Sequence, residues 1–286
     1  MVDKLALGTV QFGLDYGISN RDGRVSQHGV SQIIQSCRRF GIDTLDTATA
    51  YGYSEEALGQ SGVRGLKVVT KIPAGCSGKE AAKKALEQSL ARMDQPRLYG
   101  WLYHSYEDLE SGRLRWRDVA ALQEDYGIEK IGFSLTNPDQ WKDIVQRMII
   151  PGIIQVPYNL FDRRFEAVYD QACSLGVEVH VRSAFLQGLL FMDPSELSPH
   201  FASIRGKLTE LRRIVSDHNL NIAAALLRFV VDNTRINKVV FGVVSVEQLE
   251  QNILSISAEK NDLRRYSDCD EFVTADSSIV NPANWP

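Results

Sequence analysis

With 286 residues, 44% of them apolar and 24% charged, the chain has the composition of an ordinary globular protein with ample material for a core. A net charge of -4 without a basic cluster leaves no footprint for nucleic acid. The chain starts directly in a strand-like segment and no apolar run approaches the roughly 18 residues of a membrane span, so a cytoplasmic protein with no membrane partner is expected.

Leu5 to Phe12 (LALGTVQF) reads as a first strand, interrupted by Gly8 where another backbone or a ligand comes close. A helix from Val30 to Phe40 carries Ile33, Ile34 and Cys37 on one face and ends at Gly41. The stretch from Ile42 to Gly59 (IDTLDTATAYGYSEEALG) follows, a buried strand handing over to a helix that the serine and two glutamates would cap. Asp46 lies inside that strand. A core-facing carboxylate must find a cation or several donors to offset its desolvation, so Asp46 implies a partner, with bonds to turn amides as the plainer alternative.

Lys67 to Ile72 (KVVTKI) is the third strand, with Lys71 at its end, and Ser77 and Glu80 predict a capping box for the next helix. Leu98 to His104 (LYGWLYH) is the fourth strand, again with an ionisable residue at its carboxyl end. A helix over Val119 to Tyr126 precedes strand five, Lys130 to Leu135, and Asn137-Pro138 opens another helix. Ile153 to Tyr158 is strand six, with Gln155 its interior polar residue. After a helix over Phe165 to Leu175, Val177 to Ser183 is strand seven and Lys238 to Gly242 strand eight. More than fifty residues separate these last two and contain helical runs near Ile204 to Val215 and Ile222 to Val231. Ser245 and Gln248 predict a final capping box.

Eight strands alternating with helices predict one (β/α)8 barrel domain over residues 1–286, near the roughly 250 residues usual for that fold, with an open doubly wound sheet as the alternative. The lack of a GxGxxG after an early strand argues against a Rossmann domain. Cys37, Cys76, Cys173 and Cys269 are widely spaced, which suggests reduced thiols, and no metal is expected.

In a parallel barrel the carboxyl ends of all strands meet at one face. Asp46 with Tyr51, Lys71 and His104 occupy the ends of strands two, three and four and should therefore be neighbours. Each alone has a bland reading, as an interfacial tyrosine, a snorkelling lysine or a backbone-bonded histidine. Together they form a plausible acid-base set.

Through GTVQFG, LDTATAYGYSEEALG, VTKIP, WLYHS, IGFS, IIQVPYN, SAFLQGLL and GVVSVEQLEQN, spread over almost the whole chain, the sequence resembles the aldo-keto reductases. The resemblance implies a (β/α)8 barrel with a nicotinamide cofactor, NADPH, at its mouth, and a catalytic tetrad of Asp46, Tyr51, Lys71 and His104; the neutral Ser245, Gln248, Gln251 and Asn252, with no basic side chain among them, suggest that NADH is accepted too. The same resemblance assigns cofactor contacts to Gly8, Thr9, Asp46, Ser134, Gln155, Ser183, Gln187, Gly188, Gly242 and Asn252, and a tail from Asn261 onward that walls the substrate site.

The residue types suit that chemistry. Reducing a carbonyl requires hydride at carbon and a proton on oxygen, so an acid is needed that also holds the developing oxyanion. A tyrosine can do both once an ammonium makes its proton easier to release, which is the part Lys71 would play while Asp46 keeps it charged. His104 would bond the substrate oxygen. Gln155 either satisfies backbone or holds a carboxamide, and the helix start at Ser245 offers free amides to an anion. The chain departs from the family pattern in three places. Leu135 stands where an asparagine is common, Arg182 where an aromatic stacks on the nicotinamide, and Gln248 and Gln251 where an arginine and a glutamate are common.

The expected activity is NAD(P)H-dependent reduction of an aldehyde, ketone or sugar carbonyl, or oxidation of the alcohol. A cofactor-binding regulatory subunit and a nucleotide-free lyase or hydrolase using Asp46 and His104 are the alternatives. Tyr16, Tyr53, Tyr106, Phe161 and Phe185 are the candidates for loop residues that select the substrate.

Overall fold

Short runs of apolar residues buried on both sides make poor surface strands but good barrel staves, and eight of them close here into one parallel barrel in chain order. The computed structural model describes residues 1–286, apart from the side chain of Glu259. The strands are β1 Leu5–Gly8, β2 Thr44–Asp46, β3 Lys67–Ile72, β4 Gly100–Tyr103, β5 Lys130–Ser134, β6 Ile153–Pro157, β7 Glu178–Arg182 and β8 Lys238–Gly242. Closure comes from β1 pairing with β8, with Gly8 opposite Gly242 on one side and opposite Asp46 on the other. The doubly wound alternative is thereby excluded.

The period of two along each strand explains what fills the barrel. Val69, Leu102 and Ile153 form a small inner cluster, buried completely. Below it the barrel floor is a set of matched charges. Lys67 and Lys238 both reach Asp43, at 3.0 and 2.8 Å, and Lys130 and the Tyr99 hydroxyl meet Glu178 at 2.8 and 2.9 Å. Above it sit Asp46, Lys71, Gln155 and Arg182. The large apolar cluster lies outside the staves, between them and the ring of helices, and each fully buried aliphatic side chain there contributes about 1.5–3 kcal/mol.

Several local readings change. The first strand stops at Gly8, and Val10–Gly13 is a helical turn that buries Phe12. The first long helix starts earlier, at Gln27, because Ser26 caps it by accepting from the Gly29 amide, and it ends as expected on Gly41 in the left-handed conformation. The helix read from Val119 begins at Trp116. Asn137 makes the full capping box with Gln140. Ser77 makes no such bond, so that box is absent. Ser245 does accept from the Gln248 amide, while the Gln248 side chain reaches the Val244 amide, one residue further back than a capping box requires. Among the described residues no single helix is long and apolar enough to cross a membrane.

Candidate active site

Asp46 finds its cation. Lys71 Nζ lies 2.9 Å from both of its carboxylate oxygens and 2.9 Å from the Thr47 carbonyl, and both side chains are almost wholly buried. Gln155 adds a third bond, donating from Nε2 to Asp46 Oδ1 at 2.7 Å. Burial alone would pull the Lys71 amine down, but the charges and bonds of Asp46 and Tyr51 outweigh it and hold the amine above its ordinary value. The neighbouring staves β2 and β3 thus supply the charged pair, and Gln155 reaches it from β6.

Tyr51 sits just past β2, its ring centroid 5.1 Å from Lys71 Nζ and 6.1 Å from the His104 ring, which it meets edge-on. His104 follows β4 directly. Burial, then the nearby Lys71 ammonium, push its imidazole down to about 4, so it is neutral at pH 7 and can donate from one ring nitrogen and accept on the other. The four residues read as a tetrad from the sequence are therefore neighbours at one end of the barrel, all lining a single cavity.

The loop carrying Tyr51 is braced from behind. Ser54, expected to cap the following helix, instead puts its hydroxyl on the Thr9 carbonyl at 2.9 Å and within reach of the Thr9 and Thr47 hydroxyls. Thr9 in turn donates to the Asp46 carbonyl through both its amide and its hydroxyl, at 3.0 and 2.9 Å. Gly13 closes the brace: a Cβ there would lie 1.7 Å from the Tyr51 carbonyl oxygen and 2.6 Å from the Ser54 nitrogen. Glycine is the residue that lets the β1 loop press this closely on the Tyr51 turn.

The cavity, of about 1080 Å³, runs from this tetrad across the barrel mouth, at the upper end of the roughly 300–1000 Å³ typical of ligand pockets. Gly8, Thr9, Ser134, Gln155, Arg182, Ser183, Gln187, Gly188, Gly242, Gln248, Gln251 and Asn252 all line it; Ser245 does not, its hydroxyl being turned to the Gln248 amide. Gln155 Oε1 is buried without a partner. Because a carboxylate cannot donate, the amide nitrogen must be the atom on Asp46, which leaves the oxygen free to accept from a carboxamide NH2. That orphaned acceptor fits a nicotinamide. Ser183, Leu186 and Gln187 all have positive φ, at 62°, 47° and 53°, a concentration of strain in non-glycine residues that clusters at ligand sites.

Loop residues were harder to read. Tyr16 and Phe185 line the cavity, and burial with the nearby Tyr51 pushes the Tyr16 hydroxyl up to about 12. Tyr53 is instead exposed and bonded to Gln60, Tyr106 is buried on Asp143, and Phe161 is packed against Phe272. Beyond Tyr16, the sequence reading missed the segment after β1. Ile18 donates to the Gln187 carbonyl at 3.0 Å, and a Cβ on Gly188 would meet Ser19 Oγ at 2.0 Å, so this loop lies directly over the β7 loop. It brings Ser19, Asn20, Arg21 and Asp22 into the cavity wall. The glycines and the Asn20 in this stretch were the available signal. Of the tail, Asn281, Pro282 and Ala283 reach the cavity, whereas Asn261 is buried and bonded to the Asn221 amide and the Ser255 carbonyl.

The family model described as the aldo/keto reductase family matches residues 4–273. An oxidoreductase of Bacillus subtilis, YqkF, is 24% identical over 284 residues, covering 90% of this chain and 92% of its own. An oxidoreductase of Schizosaccharomyces pombe is 34% identical over 100 residues, a match that spans 35% of this chain and only 36% of that relative. Among solved structures, an aldo-keto reductase of Bacillus halodurans in its holo form superposes with a TM-score of 0.70 at 20% identity, covering 93% of this chain and 92% of that one. A glycerol dehydrogenase of Gluconobacter oxydans gives 0.69 at 20% identity, over 98% and 93%. At these identities the structural likeness shows the fold.

Proposed function

Starting from the premise that the chain belongs to the aldo/keto reductase family, we propose that it is an NADPH-dependent reductase of a small aldehyde, ketone or sugar carbonyl, or runs the reverse oxidation of the alcohol, with Tyr51 as proton donor. The hydride for the carbonyl carbon would come from a bound dihydronicotinamide; the rest is the work of this chain. Tyr51 delivers the proton to the carbonyl oxygen. The Lys71 ammonium, held charged by Asp46, steadies the negative charge left on the phenol oxygen, in surroundings where water does not screen it. His104, neutral at pH 7, holds the carbonyl oxygen in line by a hydrogen bond. Ser134 and Gln155 are the residues suited to hold the carboxamide, and the strained turn at Ser183 to Gly188 to hold the diphosphate.

The observation that carries this reading is the buried Asp46–Lys71 pair, bonded at 2.9 Å beneath the Tyr51 ring. A buried ion pair that faces a cavity and a phenol has no evident purpose in stability alone. The experiment is a carbonyl panel assayed with NADPH and NADH on the wild type and on Tyr51→Phe. Loss of one hydroxyl leaves packing intact, so cofactor binding should stay within about threefold while turnover falls by about 10²–10⁴, the usual worth of a positioned acid. Turnover of Tyr51→Phe close to wild type would refute the assignment.

A further inference from the structure

We propose that Arg182 makes the site prefer the reduced over the oxidised form of its cofactor, because it holds an uncompensated positive charge against the nicotinamide end of the cavity. The inference rests on the nicotinamide reading given above.

Glu178, His180 and Arg182 alternate along β7 with the buried Val179 and Val181, so all three share the inner face of the barrel. The first two are matched at the floor, where Glu178 meets Lys130 at 2.8 Å and His180 at 3.2 Å. Arg182, at the mouth, has no such match. Its Nη2 donates to the Leu135 carbonyl at 3.2 Å and its Nη1 lies 3.5 Å from Ser183 Oγ, both neutral acceptors, and among the described residues no carboxylate pairs with it. Asp46 is the acid beside it in the inner cavity, and both oxygens of Asp46 are already committed to Lys71. With His104 neutral, the inner wall therefore carries Asp46 negative, Lys71 positive and Arg182 positive, a net charge of one. Arg21 and Asp22, on the loop after β1, also line the cavity and carry opposite charges, so they leave that sum unchanged.

The guanidinium also lines the part of the cavity that the nicotinamide reading gives to the ring. Leu135 follows Ser134, its amide bonds the Gln155 carbonyl at 2.8 Å, and Arg182 stands opposite Pro157 in the sheet. Reaching from β7 to the Leu135 carbonyl, the guanidinium crosses the end of β6, the stave that carries Gln155, whose free Oε1 fits the carboxamide and which lines the same cavity. A ring held by Gln155 would have the guanidinium as a neighbour in the same cavity. The dihydro ring is neutral and can stack on the guanidinium, whereas the oxidised ring carries a full positive charge and meets a like charge in a water-poor pocket. An aromatic residue at this place would stack on either form without that penalty.

The test is direct binding of NADPH and NADP⁺ by isothermal titration calorimetry to the wild type, Arg182→Gln, Arg182→Met and Arg182→Lys. The wild type should bind NADPH at least tenfold tighter than NADP⁺. Both neutral variants should lose most of that discrimination, chiefly by binding NADP⁺ more tightly, while Arg182→Lys, which keeps the charge, should retain it within about threefold. A purely structural role would weaken both forms alike and leave the ratio unchanged in the neutral variants, and that result overturns the proposal. So does a wild-type ratio near one, which needs no variant to fold. If the wild type binds neither dinucleotide, the cofactor reading itself fails, an outcome distinct from equal binding of both.

Discussion

Replacing Lys71 by methionine is the sharpest perturbation of this site, because the pair it breaks is buried and its partners are known. Methionine keeps most of the stem volume but strips Asp46 of the ammonium that contacts both its oxygens, leaving the Gln155 amide as its remaining side-chain donor. Breaking one side of a buried ion pair costs about 3–5 kcal/mol. For a chain of 286 residues the unfolding entropy is about 0.6 kcal/mol/K, so the loss should lower Tm by about 5–8 °C. Asp46→Asn in the same background removes the stranded charge and should restore more than half of that loss. Differential scanning calorimetry of the three proteins measures both numbers. Since the Lys71 amine is held above its ordinary value, the stability it brings is fully present below about pH 10.5 and is lost as pH rises through its folded value. The gap between wild type and variant should therefore be flat from pH 6 to 9. Turnover in Lys71→Met should fall by at least about 10²-fold, as Tyr51 loses the charge beside it. An unchanged Tm, or a double variant no more stable than Lys71→Met, would refute the reasoning that the pair is a single energetic unit.

Two further predictions follow from the loop after β1. Gly13→Ala should displace the Tyr51 turn, since its Cβ would fall 1.7 Å from the Tyr51 carbonyl oxygen; kcat/KM should drop at least about tenfold with a visible loss of Tm, whereas a fully active, equally stable variant would show that the loop yields freely. NADPH should be preferred to NADH by less than about thirtyfold in kcat/KM, because the cavity residues after β8 are neutral and Arg21 is a cation outside the tetrad that lines two cavities together with Gln248; one charge-assisted contact is worth about 2 kcal/mol. Arg21→Gln should cut that preference about tenfold with little change for NADH, Gln248→Arg should widen it, and kinetics with both cofactors decide the matter.

The barrel was legible because its signals are local and repeated: short apolar runs, helical spacing between them, and ionisable residues at the carboxyl ends of three consecutive strands. Only the closed parallel topology brings those ends together, so one fold prediction carried the tetrad with it. What could not be read depended on contacts between loops. Ser54 followed by Glu55 and Glu56 has the pattern of a helix cap, but the β1 loop supplies the Thr9 carbonyl as a nearer acceptor, and Glu55 is buried on Thr70, Ser89 and Arg92. Tyr106 and Phe161 have the composition of mouth residues, yet their loops turn outward onto Asp143 and Phe272. An aromatic ring after a strand is equally at home in a substrate wall or a core, and sequence spacing does not distinguish the two.

The charged residues show most clearly why position along a strand matters more than residue type. Lys67 and Lys71 stand four apart on one stave and face the same way, but the lower one meets Asp43 at the floor and the upper one Asp46 beneath Tyr51. Lys238 and Arg235, the cations nearest β8 in the chain, both belong to the opposite end of the barrel, where Lys238 is bonded to Asp43 and Asp3, and Arg235 to Asp170. Arg21, more than two hundred residues earlier in the chain, lines two cavities together with Gln248. A search confined to the β8 loop could not find it, because the closed barrel makes the first and last staves neighbours. Position along the strand therefore separates the floor cations from those that line the cavity, where Lys71 meets Asp46 and Arg182, among the described residues, meets no carboxylate.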